Sequence, residues 1–326
     1  MSYKVLLTED INKAGKDFLI EQGYEIKICS DIKEETLIRE VEGCDAILTR
    51  NGHITEKVMR AGKKLKVVSM HGVGVDVIDV EAATRLGIQV TNSPESNKNS
   101  VAEYTIGLVL SLSKIYRIYD KELRKGNFQI RQTFGMDLEG KVLGIIGMGN
   151  IGNLVAQKAS QGFGMKVIGY KRNIKNVTAM ENVELTEDMD YVLKNSDFVS
   201  LHIPLTDKTK KLIGKREIGL MKDGSFLINT ARGEVVDTEA LVEALTGNKL
   251  AGAAIDVFEG EVPSKDNPLL KLENVIVTPH TAAFTNETLK RMALHSTLGI
   301  HEVLMGEAPT WPVNTIKDND LDCISV

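Results

Sequence analysis

Cysteine and positive charge are both scarce in this sequence. Its 326 residues include three cysteines, Cys29, Cys44 and Cys323, whose wide separation lacks the spacing of a metal site. We therefore expect no bound metal, and reduced thiols in a cytoplasmic protein. The 45 acidic residues outnumber the 40 lysines and arginines and leave a net charge of −5. Because nucleic-acid partners select basic surfaces, no such partner is expected.

Long apolar runs are also missing. No run reaches the roughly 20 apolar residues that a membrane-spanning helix needs. The opening MSYKVLLTED has the pattern of a strand and not that of a signal peptide. We therefore expect no membrane partner. The chain is nevertheless too long for one ordinary hydrophobic core, which predicts two domains.

Short apolar runs alternate with amphipathic stretches in two series. The predicted strands of the first series are Val5–Thr8, Tyr24–Ile28, Ala46–Thr49, Val67–Met70 and Ile88–Thr91. The second series begins at Gly140, and its predicted strands are Val142–Ile146, Lys166–Tyr170, Phe198–His202, Ser225–Asn229, Ala251–Ile255 and Val275–Thr278. Helical stretches such as Asn12–Gln22 and Val80–Leu86 lie between the strands. This βαβ rhythm predicts parallel sheets covered by helices.

Polar residues around Pro94 interrupt the pattern between the two series. Ser100 and Glu103 have the spacing of a capping box, so we expect a helix to begin at Ser100 and to leave the first domain. The last amphipathic stretch, Asn286–Met305, is predicted to be a helix that packs back on the first domain. The expected division is therefore a substrate domain of residues 1–99 plus 284–326, and a cofactor domain of residues 100–283.

A glycine-rich turn in KVLGIIGMGNIG is the most specific local motif. A predicted strand runs into Gly147, Gly149 and Gly152, and a helical pattern follows. In a dinucleotide-binding domain the first glycine permits a tight turn, the second lets the backbone approach a pyrophosphate, and the third lets helix and strand pack closely. The N–H groups of the helix start, at Asn150 and Ile151, would face the anion. A glycine turn in an unrelated α/β domain is the alternative.

The end of the next predicted strand has an unusual charge. Domains that prefer NAD place an acidic residue there to bond the ribose 2′-hydroxyl. This chain has Lys171 and Arg172 instead, and along the sequence the next acid is Glu181. The two residues, with Lys175 close behind, form either a site for the 2′-phosphate of NADP or a solvated basic turn.

Three residues follow the carboxyl ends of later predicted strands, where open α/β sheets bind ligands. They are Arg232 in INTARGEVVD, Glu261 in AIDVFEGEVP and His280 in VIVTPHTAA. An arginine can hold a 2-oxo acid's carboxylate in bidentate fashion, and a histidine can supply the proton for a developing alkoxide. A carboxylate behind the histidine would fix its orientation and stabilise its charged form. Taken singly, each could be an ordinary loop residue.

Nearly the whole chain resembles the D-isomer-specific 2-hydroxyacid dehydrogenases. The matching blocks are HGVGVDVIDVEAA, NSPESNKNSVAEYTIGLVLSL, LEGKVLGIIGMGNIG, HIPLTDKTKKLI, INTARGEVVD, AAIDVF and VIVTPHTAA. The resemblance implies an α/β fold of two doubly wound parallel-sheet domains, a Rossmann cofactor domain inserted into a flavodoxin-like substrate domain. It also implies a homodimer held largely through the cofactor domains, and the catalytic set Arg232, Glu261 and His280.

Further site residues carry over from the same resemblance. It implies substrate contacts at Arg50 and at the backbone amides of Val73 and Gly74, although Arg50 could equally be a surface arginine. The implied cofactor contacts, besides the glycine-rich turn, are Pro204, Thr230, Ala231 and Asp256. Lys171 departs from the family pattern, since many members carry aspartate there. Neither His71 nor His202 takes the acid–base position; we interpret His202 as a strand-end residue beside the cofactor and leave His71 undecided.

The implied activity is hydride transfer between NAD or NADP and a small D-2-hydroxy or 2-oxo acid. The HGVGVD and NSPESNKNSVAE blocks look more like phosphoglycerate dehydrogenases and glyoxylate or hydroxypyruvate reductases than like D-lactate dehydrogenases. Both 3-phosphoglycerate and glyoxylate or hydroxypyruvate therefore stay open as substrates. A cofactor-sensing corepressor of the same fold is the alternative function, although the sequence shows no long extra tails of a scaffold protein.

Overall fold

The computed structural model describes residues 2–174 and 180–316. They form two compact units. The first unit contains the residues up to Asn97 together with those from Phe284 onward, and the second runs from Lys98 to Ala283. The chain passes from the first unit to the second after Asn97, two residues before the predicted end of the substrate domain at residue 99, and returns after Ala283.

The first unit is built on a parallel sheet whose strands have the order β2-β1-β3-β4-β5. Its strands are β1 (Lys4–Leu7), β2 (Glu25–Ile28), β3 (Ala46–Thr49), β4 (Val67–Met70) and β5 (Gln89–Thr91). The order 2-1-3-4-5 is that of a flavodoxin-like doubly wound fold, which confirms the predicted class for this unit. The strands β1, β3 and β4 are almost wholly buried, as expected for strands covered by helices on both faces.

Helices cover the sheet of the first unit. They are α1 (Lys13–Glu21), α2 (Glu34–Glu40), α3 (Glu56–Ala61), α4 (Val80–Arg85) and α11 (Asn286–Leu304). Ala293 and Ile300 of α11 pack against buried strand residues such as Val5 and Val67, so the predicted return of the last helix is confirmed. Helices α1 and α11 approach so closely that a Cβ on Gly15 would lie 2.8 Å from the Cβ of Ala293.

The second unit is built on a parallel sheet with the order β12-β11-β10-β9-β6-β7-β8. Its strands are β6 (Val142–Ile146), β7 (Lys166–Tyr170), β8 (Val183–Thr186), β9 (Phe198–Leu201), β10 (Ser225–Asn229), β11 (Leu250–Ile255) and β12 (Val275–Val277). Counted from β6, this is the Rossmann order 3-2-1-4-5-6 with one more strand. The ligand-binding crevice expected in such a sheet lies where the order reverses, between β6 and β9.

Helices of the second unit lie on both faces of this sheet. They are α5 (Lys98–Ser113), α6 (Tyr116–Arg124), α7 (Asn150–Phe163), α8 (Met189–Asn195), α9 (Lys215–Leu220) and α10 (Thr238–Thr246). The capping-box prediction at Ser100 is wrong. Helix α5 begins two residues earlier, Ser100 is buried inside its first turn, and Glu103 accepts a hydrogen bond from Asn99 Nδ2 at 2.7 Å.

The edge strand β8 is absent from the sequence prediction. Its residues, VELT, are only partly buried, because β8 pairs with a neighbour on one side only. Lys175, part of the predicted basic turn, lies outside the described residues. In the ranges 2–174 and 180–316, every helix is too short or too polar to cross a bilayer.

Candidate active site

The glycine-rich turn joins β6 to α7 with little room for side chains. Gly147 has φ +109°, and a Cβ there would lie 2.4 Å from the carbonyl oxygen of His202. A Cβ on Gly152 would lie 2.1 Å from the carbonyl oxygen of Gly147. A Cβ on Gly149, the residue directly before α7, would instead have no atom within 4 Å. The turn therefore leaves room for a ligand at a helix N-terminus, where free N–H groups favour a pyrophosphate.

Three more of the predicted cofactor residues follow β9, which pairs with β6, and β10, which pairs with β9. The exposed Pro204 follows β9, and its carbonyl oxygen accepts a hydrogen bond from Thr209 Oγ1 at 2.7 Å. Thr230 follows β10, with its hydroxyl 3.2 Å from that of Thr105. The amide of Ala231 donates to Asn229 Oδ1 at 3.0 Å, which makes a tight turn. These residues thus share one edge with the glycine-rich turn.

The basic turn after β7 has an acidic neighbour that its local sequence does not indicate. The Lys171 amide donates to the carbonyl oxygen of Thr186 at 3.0 Å, and the Lys171 side chain is half-buried beside the exposed Arg172. Glu187 lies directly after β8 and accepts a hydrogen bond from the Ile174 amide at 3.2 Å. Although Glu181 is the next acid along the sequence, the pairing of β8 with β7 brings Glu187 alongside this turn.

His280 and Glu261 are in direct contact. The Nδ1 atom of His280 lies 2.5 Å from Oε1 of Glu261, and their side chains are 41% and 51% exposed. This contact fixes the orientation of the His280 ring. It also fixes the neutral tautomer as the one with its proton on Nδ1. Nε2 makes no hydrogen bond to the described part of the chain, so it is the ring atom that can reach a ligand.

Both residues of this pair have left-handed backbone conformations. The φ angles are +68° at Glu261 and +53° at His280, which is uncommon for residues other than glycine. Strained backbone of this kind persists where the surrounding structure enforces it, and it is concentrated at functional sites.

Asp256, directly after β11, enforces the conformation of the His280 loop. It is fully buried, and its carboxylate accepts hydrogen bonds from Thr278 Oγ1 at 2.6 Å, from the Thr281 amide at 2.9 Å and from the Ala282 amide at 3.0 Å. Its carbonyl oxygen accepts from the His280 amide at 2.7 Å. The family resemblance implies a cofactor contact for Asp256, and no pattern in the sequence predicts this positioning of the histidine loop.

Arg232 comes after β10, Glu261 after β11 and His280 after β12. These three strands are neighbours in the sheet. The loops that carry Arg232, Glu261 and His280 thus leave neighbouring parallel strands at one edge, as expected. Arg232 is half-buried, its Nη1 donates to the carbonyl oxygen of Ala231 at 2.8 Å, and its own carbonyl oxygen accepts from Asn229 Nδ2 at 2.9 Å. The backbone that carries the guanidinium is therefore held firmly.

The predicted substrate residues lie in the first unit. The guanidinium of Arg50 stacks over the ring of Phe284, 4.7 Å from its centroid. Within the described residues, the amides of Val73 and Gly74 donate no hydrogen bond, while the Val73 carbonyl oxygen accepts from Asn92 Nδ2 at 2.7 Å. Two adjacent amides without a partner are suited to an anion.

His71 and His202 are held neutral by their surroundings. Burial lowers the pKa of His202 to about 4, and its Nε2 lies 2.9 Å from Ser200 Oγ. Burial, and then the positive charge of Arg50, lower the pKa of His71 to about 4. At these pKa values neither ring carries a charge near neutral pH.

Comparison with known proteins supports the resemblance. Residues 106–282 match the sequence profile described as D-isomer specific 2-hydroxyacid dehydrogenase, NAD binding domain. The chain is 42% identical to D-3-phosphoglycerate dehydrogenase of Methanocaldococcus jannaschii over 95% of its own length, but it spans only 59% of that protein. It is 36% identical to glyoxylate reductase of Korarchaeum cryptofilum over 96% of both chains.

A solved structure of known activity has a similar fold. D-lactate dehydrogenase of Aquifex aeolicus, complexed with NAD and lactic acid, superposes with a TM-score of 0.85 at 30% identity, over 96% of this chain and all of that one. The family match, the Rossmann sheet and the His280–Glu261 pair lead to one conclusion. The chain belongs to the family of D-isomer specific 2-hydroxyacid dehydrogenases.

Proposed function

We propose that this protein is a dehydrogenase that transfers hydride between a nicotinamide dinucleotide and a small D-2-hydroxy or 2-oxo acid. The observation that carries the proposal is the His280–Glu261 contact of 2.5 Å, on the sheet edge that also holds the glycine-rich turn. We also propose the cytoplasm as its compartment, since Cys29 and Cys44 are unpaired thiols; a cell fractionation that recovers the protein outside the cytoplasm would contradict this.

His280 and Glu261 divide the acid–base work. A bound nicotinamide supplies or accepts the hydride at C2 of the acid. In the reducing direction, His280 Nε2 donates its proton to the carbonyl oxygen as the C=O electron pair moves onto that oxygen. Glu261 stabilises the doubly protonated ring that precedes this transfer and keeps Nε2 pointing away from the pair. In the oxidising direction His280 takes the hydroxyl proton.

Arg232 is the proposed orienting group. Its planar guanidinium can hold the substrate carboxylate through two parallel hydrogen bonds and fix the carbonyl carbon for hydride transfer. In the first unit, the amides of Val73 and Gly74 and the guanidinium of Arg50 are proposed as further anion ligands. Arg50 supports this role because its side chain stacks on Phe284 and has no carboxylate partner among the described residues.

Initial rates measured with glyoxylate, hydroxypyruvate and 3-phosphohydroxypyruvate, each with NADH and with NADPH, test the proposed function. The last two acids are the oxidised forms of glycerate and 3-phosphoglycerate, so the same panel distinguishes the substrates that the sequence leaves open. Turnover of at least one acid is expected. Tight NADH binding without turnover of any acid would contradict the dehydrogenase function and favour the cofactor-sensing alternative.

Lys171 is expected to make NADPH at least as good a cofactor as NADH. A 2′-phosphate beside Lys171 and Arg172 gains charge-assisted hydrogen bonds, and exposure reduces their net value to about 1–2 kcal/mol, or roughly 5- to 30-fold in affinity. Glu187, near the same turn, opposes this gain. The measurement is kcat/KM for both cofactors with one acid.

Lys171→Asp should shift that preference toward NADH by at least tenfold, because a carboxylate bonds the 2′-hydroxyl and repels the phosphate. Lys166→Asp, at the exposed opposite end of β7, is the matched control and should leave the preference unchanged. A native preference of tenfold or more for NADH would show that Lys171 is a solvated turn residue.

A second copy of this chain is the proposed partner. Helix α6 has no buried residue, and large apolar side chains of this segment are exposed to 57–84%. They are Tyr116, Leu123, Phe128 and Phe134. An apolar surface of this kind marks an interaction site. It lies in the cofactor unit, through which the family resemblance implies that dimers form.

Replacing Phe128 and Phe134 together by serine should therefore convert a dimer into a monomer, because the interface loses two aromatic anchors. Sedimentation velocity gives the mass of native and variant proteins. Val262→Ser, which removes an equally exposed apolar side chain elsewhere in the unit, is the control. A native monomer, or a variant that stays dimeric at micromolar concentration, would refute this interface.

A further inference from the structure

The proposed carboxylate ligands lie on a loop that is tied to its neighbour. This loop follows β4, and the adjacent, parallel strand β5 leads into the neighbouring loop at Asn92. The Gly72 carbonyl oxygen accepts a hydrogen bond from the Ser93 amide at 2.7 Å. The Val73 carbonyl oxygen accepts one from Asn92 Nδ2, also at 2.7 Å. Two successive carbonyl groups are therefore directed toward the loop after β5.

These two hydrogen bonds also set the direction of the amides. In a planar trans peptide the N–H of one residue points opposite to the carbonyl group of the residue before it. The Gly72 carbonyl group therefore orients the Val73 amide, and the Val73 carbonyl group orients the Gly74 amide. Both N–H groups point away from the loop after β5, on residues that are only half-buried and that a ligand can reach. Successive amides directed to one side form a concave site for an anion.

The side chain of Asn92 extends from backbone that is itself paired. The Asn92 amide donates to the carbonyl oxygen of Trp311 at 3.3 Å, and the Val313 amide donates to the Val90 carbonyl oxygen at 2.8 Å. The segment after α11 thus forms an antiparallel bridge with the end of β5. Because this backbone is held, Asn92 Nδ2 meets the Val73 carbonyl group in a defined place.

The loop after β3, which carries Arg50, is held by more hydrogen bonds. Glu9 Oε2 accepts from the Arg50 amide at 3.3 Å and from the Asn51 amide at 3.2 Å, and Glu9 Oε1 accepts from Asn51 Nδ2 at 2.8 Å. The Arg50 backbone therefore has several supports. The direction of the Gly74 amide, in contrast, depends on one side-chain hydrogen bond, which a substitution can remove.

We propose that Asn92 is a positioning residue, whose side-chain amide fixes the Val73–Gly74 peptide so that the Gly74 N–H faces the substrate carboxylate before the acid binds. The inference rests on the proposed function, because it takes the Val73 and Gly74 amides as carboxylate ligands. Without Asn92 Nδ2 this peptide can rotate, and binding must order it. Ordering the backbone of one residue weakens binding by roughly 5- to 30-fold when the contacts stay the same.

Leucine at position 92 gives the first test, since it keeps the size of the side chain and removes the donor. Asn92→Leu should raise KM for glyoxylate and for hydroxypyruvate by roughly 5- to 30-fold, with kcat within about twofold of native. The loss falls on KM because the amides hold the carboxylate equally in the ground state and in the transition state. Both acids should be affected by the same factor, because both have this carboxylate.

Two further substitutions show whether the donor itself matters. Asn92→Gln keeps a side-chain amide on a chain one methylene longer and should recover part of the lost affinity for the acid. Asn92→Asp keeps the size but replaces the donor by an acceptor, so it should raise KM at least as much as leucine does.

Asn12→Ala is the matched structural control. Asn12 Oδ1 accepts from the Ala14 amide at 3.0 Å at the start of α1, so this variant also loses one hydrogen bond between side chain and backbone in the first unit. Loss of a helix cap should lower its unfolding temperature and leave KM and kcat native. That result would separate reduced stability from the rise in KM.

A native KM in folded, active Asn92→Leu would refute the role of Asn92 and leave the proposed function standing. Equal KM values in Asn92→Leu and Asn92→Gln, or a lowered kcat with native KM, would also overturn this role. If Asn92→Leu fails to fold, the comparison of Asn92→Asp with Asn92→Gln decides. Native protein that turns over none of the acids would refute the proposed function itself, and this inference with it.

Discussion

Asparagine at position 280 is expected to lower kcat for every 2-oxo acid by about 100-fold or more, the usual loss when a general acid is removed. Asparagine tolerates the left-handed backbone that His280 adopts, so the loop held by Asp256 should keep its shape. Its amide has no proton to give at neutral pH. The loss should therefore appear in kcat, measured with saturating cofactor and acid.

Cofactor affinity provides the control for this variant. The glycine-rich turn follows β6, whereas His280 follows β12, so NADH should bind the variant with a nearly native Kd in a fluorescence titration. His53→Asn, at an exposed histidine of the first unit, should keep native kcat. A His280→Asn protein with native kcat would remove this residue from the mechanism.

Lysine in place of Arg232 is expected to raise KM for 2-oxo acids and to lower kcat as well. A lysine retains the charge but offers a point contact where the guanidinium offers two parallel hydrogen bonds. Losing one charge-assisted hydrogen bond costs about 1.5–3 kcal/mol, which corresponds to roughly 10- to 150-fold in kcat/KM. The decrease in kcat follows because a loosely held acid spends less time aligned for hydride transfer.

Arg216→Lys is the matched control, since Arg216 is an exposed arginine that pairs with Asp190. It should leave both kinetic constants native. Full activity in Arg232→Lys would count against bidentate binding, whereas a raised KM with native kcat would limit Arg232 to binding without orientation.

The central strands were predictable because local sequence decides them. The predictions for β3, β4, β6, β7 and β10 have the observed limits, and each of these is a short apolar run between polar or glycine-rich segments. The edge strand β8 was not predicted, because its half-exposed positions carry polar side chains that interrupt the apolar run. That omission also hid Glu187, whose position beside the basic turn depends on the pairing of β8 with β7.

The positions of Arg232, Glu261 and His280 after neighbouring strands were predictable, but the geometry of their side chains was not. The contact between His280 and Glu261 joins two loops nineteen positions apart, and it needs left-handed backbone at both residues. No local pattern specifies that conformation. The hydrogen bonds of Asp256 and Glu9 were not predicted for the same reason, because their partners lie on segments distant in sequence.

The division of the first unit between the two ends of the chain has a consequence for biosynthesis. The second unit emerges from the ribosome as one continuous block, whereas the first must wait for α11. Contacts such as that between Tyr24 and His301 close a loop of 277 residues. Until α11 is translated, the strand residues that it covers, such as Val5 and Val67, lack their packing partners, and exposed apolar surface of this kind is prone to aggregation. The inserted unit is continuous in sequence and can fold before α11 exists, and we expect a folded insert to lower the entropic cost of closing this loop.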